Sequence, residues 1–170
     1  AETIVTEPKK EDDKSTDESL EICKKWERYD SRVKVFVNEG TKGAGATRNV
    51  GLKHATCEYV AFLDADDYYL DGRFEEDDNI FKTHSDIDCT SNAVLIFTTN
   101  NKDHKIINSI YKHKEIIKYH QSNSIINIED LITNSGIYIQ GITSRKTFIE
   151  KIGGFDEKLK QCQDTDLLYR

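Results

Sequence analysis

The chain has 170 residues, enough for one domain with its own core. Its net charge of −7 argues against a general nucleic-acid binder, which needs a basic face. No apolar run reaches the roughly 18 residues that span a bilayer.

The four cysteines, Cys23, Cys57, Cys89 and Cys162, are far apart. They have neither the paired spacing of a zinc site nor the density of a disulfide scaffold, so reduced thiols in a cytoplasmic protein are expected. Residues 3–6, "TIVT", look like a strand. Residues 7–18, "EPKKEDDKSTDE", read as a polar loop ending in a capping box, with Ser15 as cap and Glu18 reaching back. Leu20, Cys23 and Trp26 follow at helical spacing. Val33, Val35 and Val37 alternate as in a strand, and "EGTKGAGATRNVGLKHA" is a Gly-rich turn running into a helix. A strand over 59–63, a helix over roughly 73–83 and a strand over 93–99 come next. The segment 100–135 predicts helical pieces on one side of a sheet. Residues 136–144 read as a strand, "RKTFIEKIGGF" as a short helix with a Gly stop, and "QDTDLLYR" as the start of a last helix. Helix and strand alternate, which predicts an α/β fold with a largely parallel sheet.

The Gly-rich turn is not a P-loop, because Ala46 stands where the lysine must be. Nor is it a dinucleotide fingerprint, because Arg48 takes the third glycine position. It still delivers a helix N-terminus, which attracts anions, and Arg48 adds a positive charge there. Residues 59–67, "YVAFLDADD", end an apolar strand in Asp64, Asp66 and Asp67. Ligands of α/β sheets bind at the carboxyl ends of strands. Carboxylates that close raise one another's pKa unless a cation sits among them. Mn²⁺ or Mg²⁺ takes carboxylate oxygens and leaves positions for substrate phosphates. An EF-hand fails, since Tyr69 occupies the required glycine position.

"DDKSTDESLEI", "GAGATRNVGLKHATCEYVAFLDADD" and "IGGFDEKLKQCQDTDLLYR" occur in that order. Together they resemble the family-two inverting nucleotide-sugar glycosyltransferases with the GT-A fold. Those read D-D-x-S-x-D, A-R-N-x-G, F-L-D-x-D-D, G-G-F-D-E and E-D-x-D-L. The resemblance covers roughly residues 12–80 and 136–170. It implies an α/β GT-A fold, a mostly parallel twisted sheet flanked by helices. It also implies a single domain over 1–170, with a nucleotide-sugar half (1–100) and an acceptor half (101–170). The family's opening strand with its P-T-Y-N-like motif, and the helix after it, have no match here. An incomplete GT-A domain lacking the usual first strand and helix is therefore expected.

The resemblance also implies roles. The donor is a UDP- or other NDP-sugar, and the acceptor a carbohydrate, lipid-linked or protein hydroxyl. Asp13, with Asp12 beside it, falls where the family recognises the nucleotide base, and a carboxylate can accept the imide N–H of uracil. Arg48 falls near the base or diphosphate, Asp64 supports the turn, Asp66 holds the ribose or a metal, and Asp67 holds the metal. The nucleotide-sugar set is thus Asp12, Asp13, Arg48, Asp64 and Asp66, with Asp66 and Asp67 for Mn²⁺ or Mg²⁺. Asp164 matches the general base, and transfer inverts the anomeric centre. Three positions depart from the pattern: Lys14 for Gly or Asn, Thr47 for Ala, and Gln163 for Glu, whose amide can still bond an acceptor. No nucleic-acid partner and no transmembrane segment are expected, with peripheral membrane association left open. The competing reading is a catalytically defective relative or fragment that binds a nucleotide sugar or a partner without turnover.

Overall fold

The computed structural model describes residues 9–92, 94–98, 105–108 and 138–170. The first described element is strand β1 (Lys9–Asp12), inside the stretch whose composition predicts a loop. It forms because its backbone pairs in parallel with β2 (Lys34–Val37), from Lys9 opposite Lys34 to Asp12 opposite Val37. A ladder is made by main-chain groups, so a polar segment can join it without an apolar pattern. The Asn38 N–H continues the ladder to the Asp12 carbonyl at 2.8 Å.

Helix α1 (Ser19–Tyr29) starts three residues later than the capping-box reading, with Glu18 and not Ser15 at the N-cap. The Ser15 N–H is already taken by Asp12 Oδ2 at 3.1 Å, and Asp17 Oδ1 accepts the Ser19 N–H at 3.0 Å. Trp26 is not in the core. It is 51% exposed on a face shared with Ile22 and Tyr29, and its ring meets Tyr29 edge-on. The inward face carries Leu20, Cys23 and Glu27, whose Oε1 accepts the Val35 N–H at 3.0 Å. Helix α2 (Ala44–His54) follows the Gly-rich turn and packs on β1. Its buried residues Gly45, Ala46 and Leu52 face inward, and the His54 ring stacks on Phe36 at 3.9 Å.

Strand β3 (Tyr59–Ala61) leads to helix α3 (Glu75–Thr83) and strand β4 (Cys89–Ser91). Strands β5 (Leu95–Thr98) and β6 (Lys105–Asn108) form an antiparallel pair. So 105–108, within the segment read as helical, is strand; the rest of that reading, and the strand at 3–6, lie outside the described residues. A 3₁₀ turn (Ile139–Gly141) interrupts the strand expected over 136–144, whose residues 136 and 137 lie outside those described. Strand β7 (Ile142–Arg145), helix α4 (Lys146–Lys151) and helix α5 (Gln163–Tyr169) complete the chain. The Gly stop is real: Gly153 and Gly154 have φ of +89° and +68° and donate to the Glu150 and Ile149 carbonyls at the end of α4.

The fold is α/β, but the pairings described are mixed rather than mostly parallel. Only β1 and β2 run parallel; β7 returns between β3 and β4 and is antiparallel to both. Ile139, Ile142, Ile149, Phe155, Leu52 and Leu167 form the core beside this sheet. It thus joins the end of β3 to the segments that carry Asp164. No described helix is long and apolar enough to cross a membrane.

Candidate functional site

The turn after β3 is closed by the Asp67 N–H on the Asp64 carbonyl at 3.1 Å. The Tyr69 hydroxyl donates to the Phe62 carbonyl at 2.8 Å, and burial pushes its pKa up to about 12, so it remains a donor. The three carboxylates have different surroundings. Asp64 Oδ1 takes Arg48 Nη2 at 2.6 Å, and its Oδ2 takes the Gln140 side-chain amide at 2.9 Å. The same Gln140 nitrogen donates to Asp67 Oδ2 at 2.8 Å. Asp66 is exposed and has no hydrogen-bond or ion-pair partner among the described residues. Asp64 is therefore a strut, while Asp66 and Asp67 keep oxygens open to a ligand.

The second cluster lies where β1 ends. Asp12 is buried, and its Oδ2 accepts the Ser15 N–H at 3.1 Å. Asp13 bridges the end of β2 to the Gly-rich turn: Oδ1 accepts Asn38 Nδ2 and Oδ2 accepts the Gly43 N–H, both at 3.0 Å. Lys14 has φ of +58°, a conformation that favours Gly or Asn, and its ammonium caps the Glu39 and Gly40 carbonyls at 3.2 and 3.0 Å. Thr47, in place of alanine, donates its hydroxyl to the Gly43 carbonyl at 2.9 Å. The departures at Lys14 and Thr47 both tie loops together.

Helix α2 connects these groups to the last third of the chain. Arg48 lies over the Phe155 ring at 5.5 Å. Asn49 grips the Phe155 backbone from both sides, donating to its carbonyl and accepting its N–H at 2.9 Å each. That turn leads to α5, where Asp164 is half-buried and accepts the Thr165 N–H at 2.9 Å. Gln163 faces inward instead of toward an acceptor. It is 9% exposed, donates to the Leu159 carbonyl, and its Cγ lies 3.4 Å from where a Gly45 side chain would begin.

Residues 12–141 match the family described as Glycosyl transferase family 2. The chain belongs to glycosyl transferase family 2. An uncharacterized glycosyltransferase of Methanocaldococcus jannaschii, MJ1057, is 31% identical over 160 residues, 94% of this chain and 51% of that protein. WfgD of Escherichia coli, a UDP-Glc:alpha-D-GlcNAc-diphosphoundecaprenol beta-1,3-glucosyltransferase, is 42% identical over 64 residues, 38% of this chain and 24% of that protein. The crystal structure of Staphylococcus aureus TarS 1–349 superposes with a TM-score of 0.60 at 25% identity, over 95% of this chain and 43% of that one. The fold is accordingly that of the GT-A glycosyltransferases. The chain spans about half the length, or less, of the curated relatives it matches.

Within this family-2 chain, no three His, Cys, Asp or Glu side chains of the described residues converge on a metal position. Asp66 and Asp67 do fit a hard cation that takes one or two carboxylates and completes its shell with phosphate and water. Asp64 does not, because the Arg48 guanidinium paired with its Oδ1 would repel a cation there. Sequence reasoning did not single out Asn38, Gln140 or Asp77. Asn38 is 1% exposed and holds Asp13, Thr41, Thr47 and Gly40 together. Asp77, also 1% exposed, accepts from Arg73, Thr143 and Asn92. A polar residue inside an otherwise apolar run was the available signal for Gln140, in "GIYIQGITS".

Proposed function

We propose that this family-2 chain transfers a glycosyl group from a UDP-sugar, or another NDP-sugar, to an acceptor hydroxyl, with inversion and with help from a divalent cation. The observation that carries this reading is the unequal fate of the carboxylates after β3. Asp64 is neutralised by Arg48 and hydrogen-bonded by Gln140, while Asp66 and Asp67 keep open oxygens. The UDP in the complex of TarS 1–349 and the donor in the name of WfgD support UDP as the nucleotide. WfgD's name also supports a lipid-linked acceptor; carbohydrate and protein acceptors belong to the same reading.

Mechanistically, Asp13 would receive the uracil N–H through a lone pair left over from Asn38 and Gly43. Arg48 and the start of α2 add positive potential where a diphosphate would lie. Asp66 and Asp67 would hold Mn²⁺ or Mg²⁺, which when bound screens the diphosphate and stabilises the charge that grows on the leaving UDP. Asp164 takes the proton from the acceptor hydroxyl. The acceptor oxygen bonds to the anomeric carbon from the face opposite UDP, and the bond to the diphosphate oxygen breaks with its electron pair staying on UDP. One displacement inverts the centre. In this reading residues 1–100 serve the donor and 101–170 the acceptor.

The test is release of the matching nucleoside diphosphate from a panel of UDP-, GDP- and CDP-sugars, with and without Mn²⁺, using WfgD-like lipid-diphosphate acceptors and simple glycans. Cation-dependent release with a UDP-sugar is expected. Tight UDP binding with no release from any donor would instead favour a non-catalytic relative.

A further inference from the structure

Asp64 and Asp67 are neighbouring carboxylates that must stay ionised and oriented to be useful. A direct lysine between them would hold them strongly, but its charge would repel a divalent cation. Gln140 provides donors without charge. Its Nε2 donates to Asp64 Oδ2 at 2.9 Å and to Asp67 Oδ2 at 2.8 Å, leaving Asp67 Oδ1 open among the described residues. Arg48 anchors the other Asp64 oxygen, so Asp64 is held from two sides and Asp67 is held through it.

Gln140 itself stands on a stiff platform. Its neighbour Ile139 is 1% exposed in the core. The Gly141 carbonyl accepts the Asn92 N–H at 2.8 Å, and a side chain at Gly141 would begin 2.5 Å from the Asn92 carbonyl oxygen. Arg73 leans on the Gln140 carbonyl and on Thr143, and buried Asp77 gathers Arg73, Thr143 and Asn92. A rigid turn before β7 thus reaches over to the turn after β3, 73 residues away in sequence.

We propose that Gln140 is a positioning residue: its side-chain amide couples Asp67 to Asp64 and fixes Asp67 in the orientation that takes a cation-bound nucleoside diphosphate. This rests on the donor-site reading above. Gln140 does not touch the reacting atoms, and its effect is confined to the cation-dependent part of nucleotide binding.

The experiment compares UDP affinity by calorimetry in EDTA and in Mn²⁺ for wild type, Gln140→Leu and Gln140→Glu. Leu removes the donor without adding charge; Glu keeps the shape and adds repulsion. Melting temperatures check folding. The expected result is a gain in UDP affinity from Mn²⁺ that falls about tenfold or more in both variants, the effect of losing one hydrogen bond to a charged group. UDP affinity in EDTA stays within about twofold of wild type in Gln140→Leu. An Mn²⁺ gain as large as wild type in either variant overturns the proposal while leaving the donor site intact. Loss of fold in both variants assigns Gln140 to stability alone and overturns it equally. Absence of any Mn²⁺ gain in wild type defeats the donor-site reading, and the proposal with it; wild type alone reports that outcome.

Discussion

Arg48 and Asp64 form a 2.6 Å ion pair between helix α2 and the turn after β3. Arg48 is 15% exposed and Asp64 40%, so the contact is half open to water. Exposure discounts its value, and Arg48→Met is expected to lower stability by about 1 kcal/mol. Urea unfolding measures this. Because Arg48 also shares Asp64 with Gln140, the same variant is expected to weaken UDP binding in Mn²⁺.

Asp77 is a different case. It is 1% exposed and receives the Arg73 guanidinium, the Thr143 hydroxyl and the Asn92 amide. Asp77→Ala leaves a partly buried Arg73 without its counter-charge, and about 3–5 kcal/mol of stability is expected to go. Asp77→Asn is no rescue. Donors face both of its oxygens, so in either amide orientation an NH₂ meets a donor. Both variants are expected to show lowered urea midpoints with unchanged slopes.

Gly141→Ala isolates the platform under Gln140. The added methyl begins 2.5 Å from the Asn92 carbonyl oxygen, a backbone atom that cannot move alone. A loss of about 1–3 kcal/mol is expected, together with a smaller Mn²⁺ gain in UDP affinity. A variant as stable as wild type by urea unfolding would contradict the close approach described here.

Much of the site was legible because its chemistry is local. Three aspartates within four residues, at the end of an apolar strand, and a Gly-rich turn before Arg48 mark a candidate ligand end without any tertiary knowledge. What could not be read was pairing across distance. Nothing in residues 142–145 says that β7 will insert between β3 and β4, so the sheet looked largely parallel. Lys9–Asp12 hid as a loop because its pattern is polar and only its backbone makes the strand. Ser15 looked like a cap because a four-residue pattern is blind to Asp12, which takes its N–H. Leu20, Cys23 and Trp26 share a helical spacing, but Trp26 stays exposed while Glu27 turns inward to serve Val35. Gln140 was missed for the same reason: its partners are 73 and 76 residues away.

Alkali is expected to destabilise the fold through two partly buried groups. Burial pushes Tyr69 from 10.0 to about 12, and burial pushes Cys89 from 9.0 to about 12. The unfolded chain therefore loses these protons first, so the folded state binds more protons over that window. Stability from both groups is complete below pH 9, and it declines as pH rises from about 9 to 12. Urea unfolding at pH 8 and pH 11 is expected to show a smaller decline in Tyr69→Phe and in Cys89→Ala than in wild type.

The central claim is inverting transfer with Asp164 as base, and one comparison addresses it directly. Wild type and Asp164→Asn are assayed for transfer from a UDP-sugar to the acceptor found in the donor panel, with UDP-sugar affinity measured in parallel and the product's anomeric configuration read by NMR. A positioned base contributes roughly 10²–10⁴-fold in rate. The account expects transfer by Asp164→Asn to fall by about that factor, donor affinity to stay unchanged, and the wild-type product to be inverted. Near wild-type transfer by Asp164→Asn, or a product that retains its configuration, would contradict it.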